Sequence, residues 1–257
     1  MKVIKKIIAI LYTMYAFTVF VTIMFLILPF IIIASFFGKI KGGNFIYKLC
    51  KLWARLVLFM LGIFHKNIFE WPVDGSKHYV FVFNHISYLD IPVILRSVKK
   101  INFRVLGKAE MAKIPVFGFI YRSAAVLVER GDAEKRAKSV QQLKSVLNKG
   151  ISVVIAPEGT FNMTHQPLKS FYDGAFKIAI ETQTAIRPML FLDTYNRLHY
   201  NSIFSLTPGR SRTIFLEEIP VEGLTMDDVE LLKNKVFTIM ETGLIRHKAS
   251  WINSNKK

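Results

Sequence analysis

From position 7 to position 38 the chain runs for 32 residues without a charge, between Lys2, Lys5 and Lys6 on one side and Lys39, Lys41 and Lys48 on the other. About 20 residues cross a bilayer, so this run is long enough to span once with tilt, or to bend near Pro29 and return as a shallow hairpin. It is too long for the roughly 7–15-residue core of a secretory signal and has no small-x-small cleavage site, which predicts a retained anchor. Cations on both flanks leave its orientation unassigned. The next stretch, 47–64, sets Lys48, Lys51 and Arg55 among Trp53, Leu56, Phe59 and Leu61. That pattern suits an interfacial helix lying along lipid headgroups, or equally the core helix of a folded domain.

After Trp71-Pro72 and the turn at Asp74-Gly75 the pattern changes. Short apolar or β-branched runs at 79–83, 103–106, 125–128, 151–155, 189–192 and 213–216 predict strands. Between them 133–148, 171–182 and 226–246 read as helices, the first with Ala137, Val140, Leu143 and Leu147 on one face and Gly150 just beyond its end. Strands alternating with helices predict an α/β domain with a mixed, mostly parallel sheet. The expected organisation is a membrane anchor with an interfacial helix over 1–64 and one catalytic domain over 65–257.

Lys and Arg number 35 against 18 Asp and Glu, a net charge of +17. Such a surface draws anionic lipid, phosphorylated substrates or nucleic acid. An apolar anchor and the lack of any nucleic-acid-binding motif argue against the last of these. Cys50 is the only cysteine, which excludes an internal disulfide and a cysteine-based zinc site and fits a reducing compartment. The six histidines form no His-x-x-x-His or Glu-x-x-His pair, so no metal is implied.

The sharpest chemical signal is Asn84-His85-Ile86-Ser87-Tyr88-Leu89-Asp90, directly after the 79–83 strand. If a helix begins there, His85 and Asp90 lie about one turn apart. The carboxylate can then fix the imidazole tautomer while the other ring nitrogen takes a proton from a hydroxyl. The same residues also read as a helix start, with Ser87-x-x-Asp90 as a variant capping box. A second signal, Ile155-Ala156-Pro157-Glu158-Gly159-Thr160, again follows a strand and presents a carboxylate and a hydroxyl on an irregular loop. Taken alone it is an ordinary turn.

Together, Asn-His-x-x-x-x-Asp and, about seventy residues later, Pro-Glu-Gly-Thr resemble the glycerolipid acyltransferase family typified by lysophosphatidate acyltransferase. The resemblance covers roughly residues 80 to 192. It includes Lys108, Glu110, Met111, Pro115 and Gly118 at an intermediate motif, Arg130 closing a second motif, and Ile186-Arg187-Pro188-Met189 as a fourth. It implies a single α/β domain of the glycerol-3-phosphate acyltransferase type with His85 and Asp90 as the catalytic pair. Lys108, Arg130, Glu158, Gly159 and Thr160 are implied as substrate-binding residues.

The implied reaction moves an acyl group from acyl-CoA or acyl carrier protein to a lysophospholipid, foremost lysophosphatidate, without a cofactor. The implied partners are the bilayer and these substrates, and the implied location is the cell membrane with catalysis on the cytoplasmic face. Two family cations are missing. Phe161 stands where Arg is usual and Tyr172 where Lys is usual, which admits a lyso-aminolipid or another acceptor without a phosphomonoester, with Lys108, Arg130 and Lys169 as the cations able to substitute. A hydrolase using the same pair on water, and a basic lipid-surface protein using Arg96, Lys99, Lys100, Arg104 and Lys108, are the readings from other classes.

Overall fold

The computed structural model describes residues 2–129, 131, 133–164 and 166–252. The apolar run forms one helix, α1 (Lys2–Ser35), which continues through Pro29. A proline removes one N–H and kinks a helix, but Ile27, Ile31 and Ala34 are buried on both sides of it and hold the helix together. Reversal comes later, at 36–42, where Gly38 adopts a φ of +76°. The chain then returns as α2 (Gly43–Met60), antiparallel to α1. Phe20 and Trp53 meet edge to face at 4.9 Å, and Tyr12 donates to the Leu61 carbonyl at 2.6 Å.

The core-helix reading of this second segment holds for one face of α2, and the other face is exposed. Ile46, Tyr47, Trp53, Ala54, Val57 and Leu58 are buried in the domain core, while Phe45, Lys48, Leu52, Arg55, Leu56 and Phe59 form an exposed apolar and cationic stripe. The helix stops earlier than its apolar pattern suggests, because Gly62 takes a φ of +57° and turns the chain into a strand, β1 (Ile63–Phe69). This strand crosses the expected boundary at 64–65.

The other strands are β2 (Val80–Phe83), β3 (Phe103–Lys108), β4 (Val126–Val128), β5 (Ser152–Ile155), β6 (Ile186–Phe191) and β7 (Gly209–Phe215). They join β1 in a seven-stranded sheet ordered β1-β7-β6-β2-β5-β3-β4 among the described residues. The pairs β6–β2, β2–β5, β5–β3 and β3–β4 are parallel, β6–β7 is antiparallel and β1–β7 is parallel, so the sheet is mixed and mostly parallel. The connecting helices are α3 (Asp90–Ser97), α4 (Phe117–Ala124), α5 (Ala133–Leu147), α6 (Gly174–Glu181), the short α7 (Thr194–Arg197) and α8 (Val229–Arg246).

Side chains alternate across the strands and so divide the core into two layers. Phe81, Phe83, Phe103, Val154, Met189 and Phe191 pack with α1, α2 and α3. Val80, Val82, Val153, Ile155, Leu190 and Ile214 pack with α5, α6 and α8. Strands covered on both faces read as continuous apolar runs, as β2 and β5 do. Arg104, placed by charge alone in a surface patch, is buried instead. Its guanidinium donates to the Lys39 carbonyl at 2.9 Å and to Asn44 Oδ1 at 3.0 Å, tying β3 to the hairpin turn.

Candidate active site

Because β2, β3, β4, β5 and β6 are parallel, the loops leaving their carboxyl ends share one edge of the sheet, where α/β folds commonly bind ligands. His85 follows β2, Glu158 follows β5, and Lys108 ends β3. Asn84 joins two of these strand ends. Its amide nitrogen donates to the Phe191 carbonyl at 3.1 Å, and its oxygen accepts the Phe191 N–H at 2.8 Å. The sequence motif contains Asn84 but gives it no role, and only the pairing of β2 with β6 reveals one.

His85 Nδ1 lies 2.8 Å from Asp90 Oδ2. The same oxygen accepts the N–H groups of Ile86 at 2.8 Å and Ser87 at 2.9 Å. Three convergent donors suit a carboxylate oxygen, which makes Nδ1 the protonated ring nitrogen and leaves the Nε2 lone pair free. Asp90 is fully buried, whereas the His85 side chain keeps 22% exposure and can meet a substrate. A helix does start here, but not through a Ser87 capping box: α3 begins at Asp90 with Leu89 as its N-cap and no side-chain cap. The Asp90 contact to the Ser87 N–H and the Ser87 hydroxyl, which accepts the Leu89 N–H at 3.1 Å, shape the turn ahead of it.

The Pro-Glu-Gly-Thr loop holds His85 from the other side. Glu158 Oε1 accepts the His85 N–H at 2.9 Å, and Asn162 N–H donates to the His85 carbonyl at 2.8 Å. Glu158 Oε2 accepts the Lys169 N–H at 2.8 Å. Glu158 has no exposed surface and both of its oxygens are used by backbone amides, so in this structure it faces the protein and not the edge where an acceptor would lie. Burial pushes its carboxyl up to about 8, against the two backbone amides that pull it down. Gly159 makes the turn with a φ of +70°, a conformation that favours glycine, and delivers Thr160 to the surface. There the Thr160 hydroxyl lies 3.0 Å from Lys169 Nζ.

Phe161 does not imitate the Arg it replaces. Its ring meets the His85 ring edge to face at 4.4 Å and that of Tyr88 at 4.9 Å, and it stacks more distantly on Tyr200 at 6.4 Å. Tyr172 is exposed. Lys108 is exposed on the same sheet edge but two strands from β2, about 10 Å sideways at about 4.8 Å per strand. Arg130 lies outside the described residues. The intermediate Pro-Gly pair has a steric reason: a Cβ on Gly118 would stand 2.3 Å from the Ala112 carbonyl oxygen.

The arrangement brings together His85, Asp90, Glu158, Gly159 and Thr160 and leaves Lys108 apart. It offers one imidazole nitrogen able to accept a proton from a hydroxyl, on a backbone held from two loops.

The family model described as acyltransferase matches residues 66–192. An uncharacterized acyltransferase of Schizosaccharomyces pombe is 28% identical over 222 residues, covering 83% of this chain and 78% of that protein. A putative 1-acyl-sn-glycerol-3-phosphate acyltransferase of Caenorhabditis elegans is 31% identical over 205 residues, covering 78% of this chain and 70% of that protein. The crystal structure of the 1-acyl-sn-glycerophosphate acyltransferase of Thermotoga maritima superimposes with a TM-score of 0.75 at 25% identity, covering 96% of this chain and 99% of that one.

Proposed function

We propose that this chain, which belongs to the glycerolipid acyltransferase family, acylates the free hydroxyl of lysophosphatidate to give phosphatidate, taking the acyl group from acyl-CoA or acyl carrier protein. The observation that carries the proposal is the triple use of Asp90 Oδ2 by His85 Nδ1 and two backbone amides, which leaves Nε2 as the base.

In the proposed step the acceptor oxygen attacks the thioester carbonyl while Nε2 takes its proton. The new C–O bond forms as the carbonyl becomes an oxyanion, and collapse breaks the C–S bond. The departing thiolate, with a thiol pKa of about 8.5, recovers the proton from Nε2. Asp90 supports the imidazolium between the two transfers. Glu158 and Gly159 act as positioning residues, Thr160 meets the acceptor, and Lys108 and Arg130 serve phosphates of the substrates. No cofactor enters.

The proposed location is the cell membrane, with catalysis on the cytoplasmic face where acyl thioesters are made. α1 is long and apolar enough to cross a membrane, and the exposed stripe of α2 adds Phe45, Leu52, Leu56 and Phe59 beside Lys48 and Arg55. Between residues 1 and 109 the only acidic residues are Glu70, Asp74 and Asp90, which favours an anionic lipid surface.

A second reading, an acceptor without a phosphomonoester, is favoured by the aromatic ring at 161 against His85. The test offers labelled acyl thioester with lysophosphatidate or with a lyso-aminolipid to membranes carrying wild type or His85→Ala. Phosphatidate formed by wild type and lost in His85→Ala supports the proposal. Product from the aminolipid alone moves the function to the second reading, and equal activity in both proteins refutes the mechanism.

A further inference from the structure

An acceptor bearing a phosphomonoester needs a cation close to the base, because in lysophosphatidate the phosphorus and the reacting oxygen are only four bonds apart. Position 161 holds a phenyl ring packed on His85, position 172 an exposed tyrosine, and Lys108 stands two strands away. Lys169 is placed differently. Its backbone N–H donates to one oxygen of Glu158 at 2.8 Å while the other oxygen takes the His85 N–H at 2.9 Å, so a single buried carboxylate fixes the spacing between this lysine and the base. Its ammonium projects to the solvent edge and lies 3.0 Å from the Thr160 hydroxyl. That contact is with a hydroxyl and not a carboxylate, which leaves the positive charge available to an anion.

We propose that Lys169 and Thr160 form the seat of the acceptor's phosphomonoester, the ammonium supplying charge and the hydroxyl a hydrogen bond. The assignment rests on the lysophosphatidate reading above and names the residues that take over from the absent cations. A lysine suits the place: it contributes a compact point charge on a flexible stem, which can turn from Thr160 to a phosphate oxygen as the acceptor enters. Phe161 is then free to pack against the His85 ring. Lys108, about 10 Å to the side by strand spacing, is too far to share the same phosphate and fits the longer donor.

The experiment uses the full chain in membranes and compares wild type, Lys169→Gln, Lys169→Arg and a distant exposed control, Lys235→Gln on α8. Each is assayed with lysophosphatidate and with a lysophosphatidylglycerol, whose phosphate is a capped, singly charged diester. The expected result for Lys169→Gln is a KM for lysophosphatidate raised about tenfold or more, with kcat within about twofold. Lys169→Arg should recover most of that rise, the capped acceptor should change little, and Lys235→Gln should match wild type.

An unchanged KM in Lys169→Gln, an equal rise for both acceptors, an equal rise in Lys235→Gln, or a fall in kcat for both acceptors would each overturn the assignment while leaving the acyl-transfer reading in place. A wild-type enzyme that does not acylate lysophosphatidate removes the underlying reading and the assignment with it.

Discussion

Replacing Asp90 by Asn separates a base-orienting carboxylate from a residue that only starts a helix. Asn and Asp are about equally good at helix starts, so a purely structural role leaves Asp90→Asn close to wild type. The structure argues otherwise, because Asp90 Oδ2 gathers three N–H donors within 2.9 Å. An amide nitrogen at that point would face all three, so the Asn oxygen must take the place of Oδ2. The geometry survives and the charge does not. Each bond then falls from the charge-assisted to the neutral class, roughly a halving of its strength, and folding loses about 2–4 kcal/mol over the three.

The larger effect is on catalysis. An imidazolium forming beside a neutral amide lacks its counter-charge, and the contribution of general-base catalysis, about 10²–10⁴-fold, is at stake. That corresponds to about 3–5 kcal/mol of barrier. The assay is kcat with saturating acyl thioester and lysophosphatidate in membranes, alongside a thermal melt to show that the variant is folded. A folded Asp90→Asn with kcat within about threefold of wild type would refute the base-orienting role.

His65 sits among Asn67, Ser97 and Ser211, and burial is the main cause that lowers its pKa to about 4. Its contribution to stability is complete above the unfolded value of 6.5 and is lost as the pH falls toward 4, on the order of 3 kcal/mol, so denaturation midpoints of wild type should fall over that window and those of His65→Gln should fall less. Glu158 shows the opposite sign: its folded value is raised from 4.5 to about 8, so its contribution is present below 4.5 and lost as the pH rises through 8. Glu158→Gln, which removes one amide acceptor, should therefore be less stable than wild type near neutrality, with the gap closing in melts taken above pH 8. Phe161→Ala strips the ring from His85 and opens Nε2 to water, so free fatty acid released per acyl transferred should rise several-fold, and an unchanged ratio would mean that the ring does not screen the base.

The sequence conveyed the chemistry better than its supports. His85 and Asp90 were legible because five residues of spacing after a buried strand already bring them into contact. The six strands within 79–216 were legible from their apolar stretches, which cover on both faces makes nearly continuous in β2 and β5; the polar start of β7, Gly209-Arg210-Ser211-Arg212, gave no such signal. β1 was not, since Ile-Phe-His-Lys-Asn-Ile-Phe carries polar residues that become favourable only when β7 pairs with it and Ser97 and Ser211 satisfy His65. Arg104 read as surface charge because its acceptors, the Lys39 carbonyl and Asn44, lie sixty or more residues away in a hairpin turn. Lys169 was legible only as one of three cations that could replace the missing pair; what sets it apart from Lys108, its link to His85 through Glu158, follows no local period.

That link limits how such an enzyme can change. Because one carboxylate holds the backbone of His85, the proposed base, with one oxygen and that of Lys169, on the proposed acceptor loop, with the other, the two cannot drift independently. A substitution that retunes the choice of acceptor by moving the 158–169 loop also moves His85, so selectivity and turnover should be inherited as a single trait. Acceptor preference is then most freely altered at side chains that project from the loop without shifting it, of which Phe161, Lys169 and Tyr172 are the accessible examples.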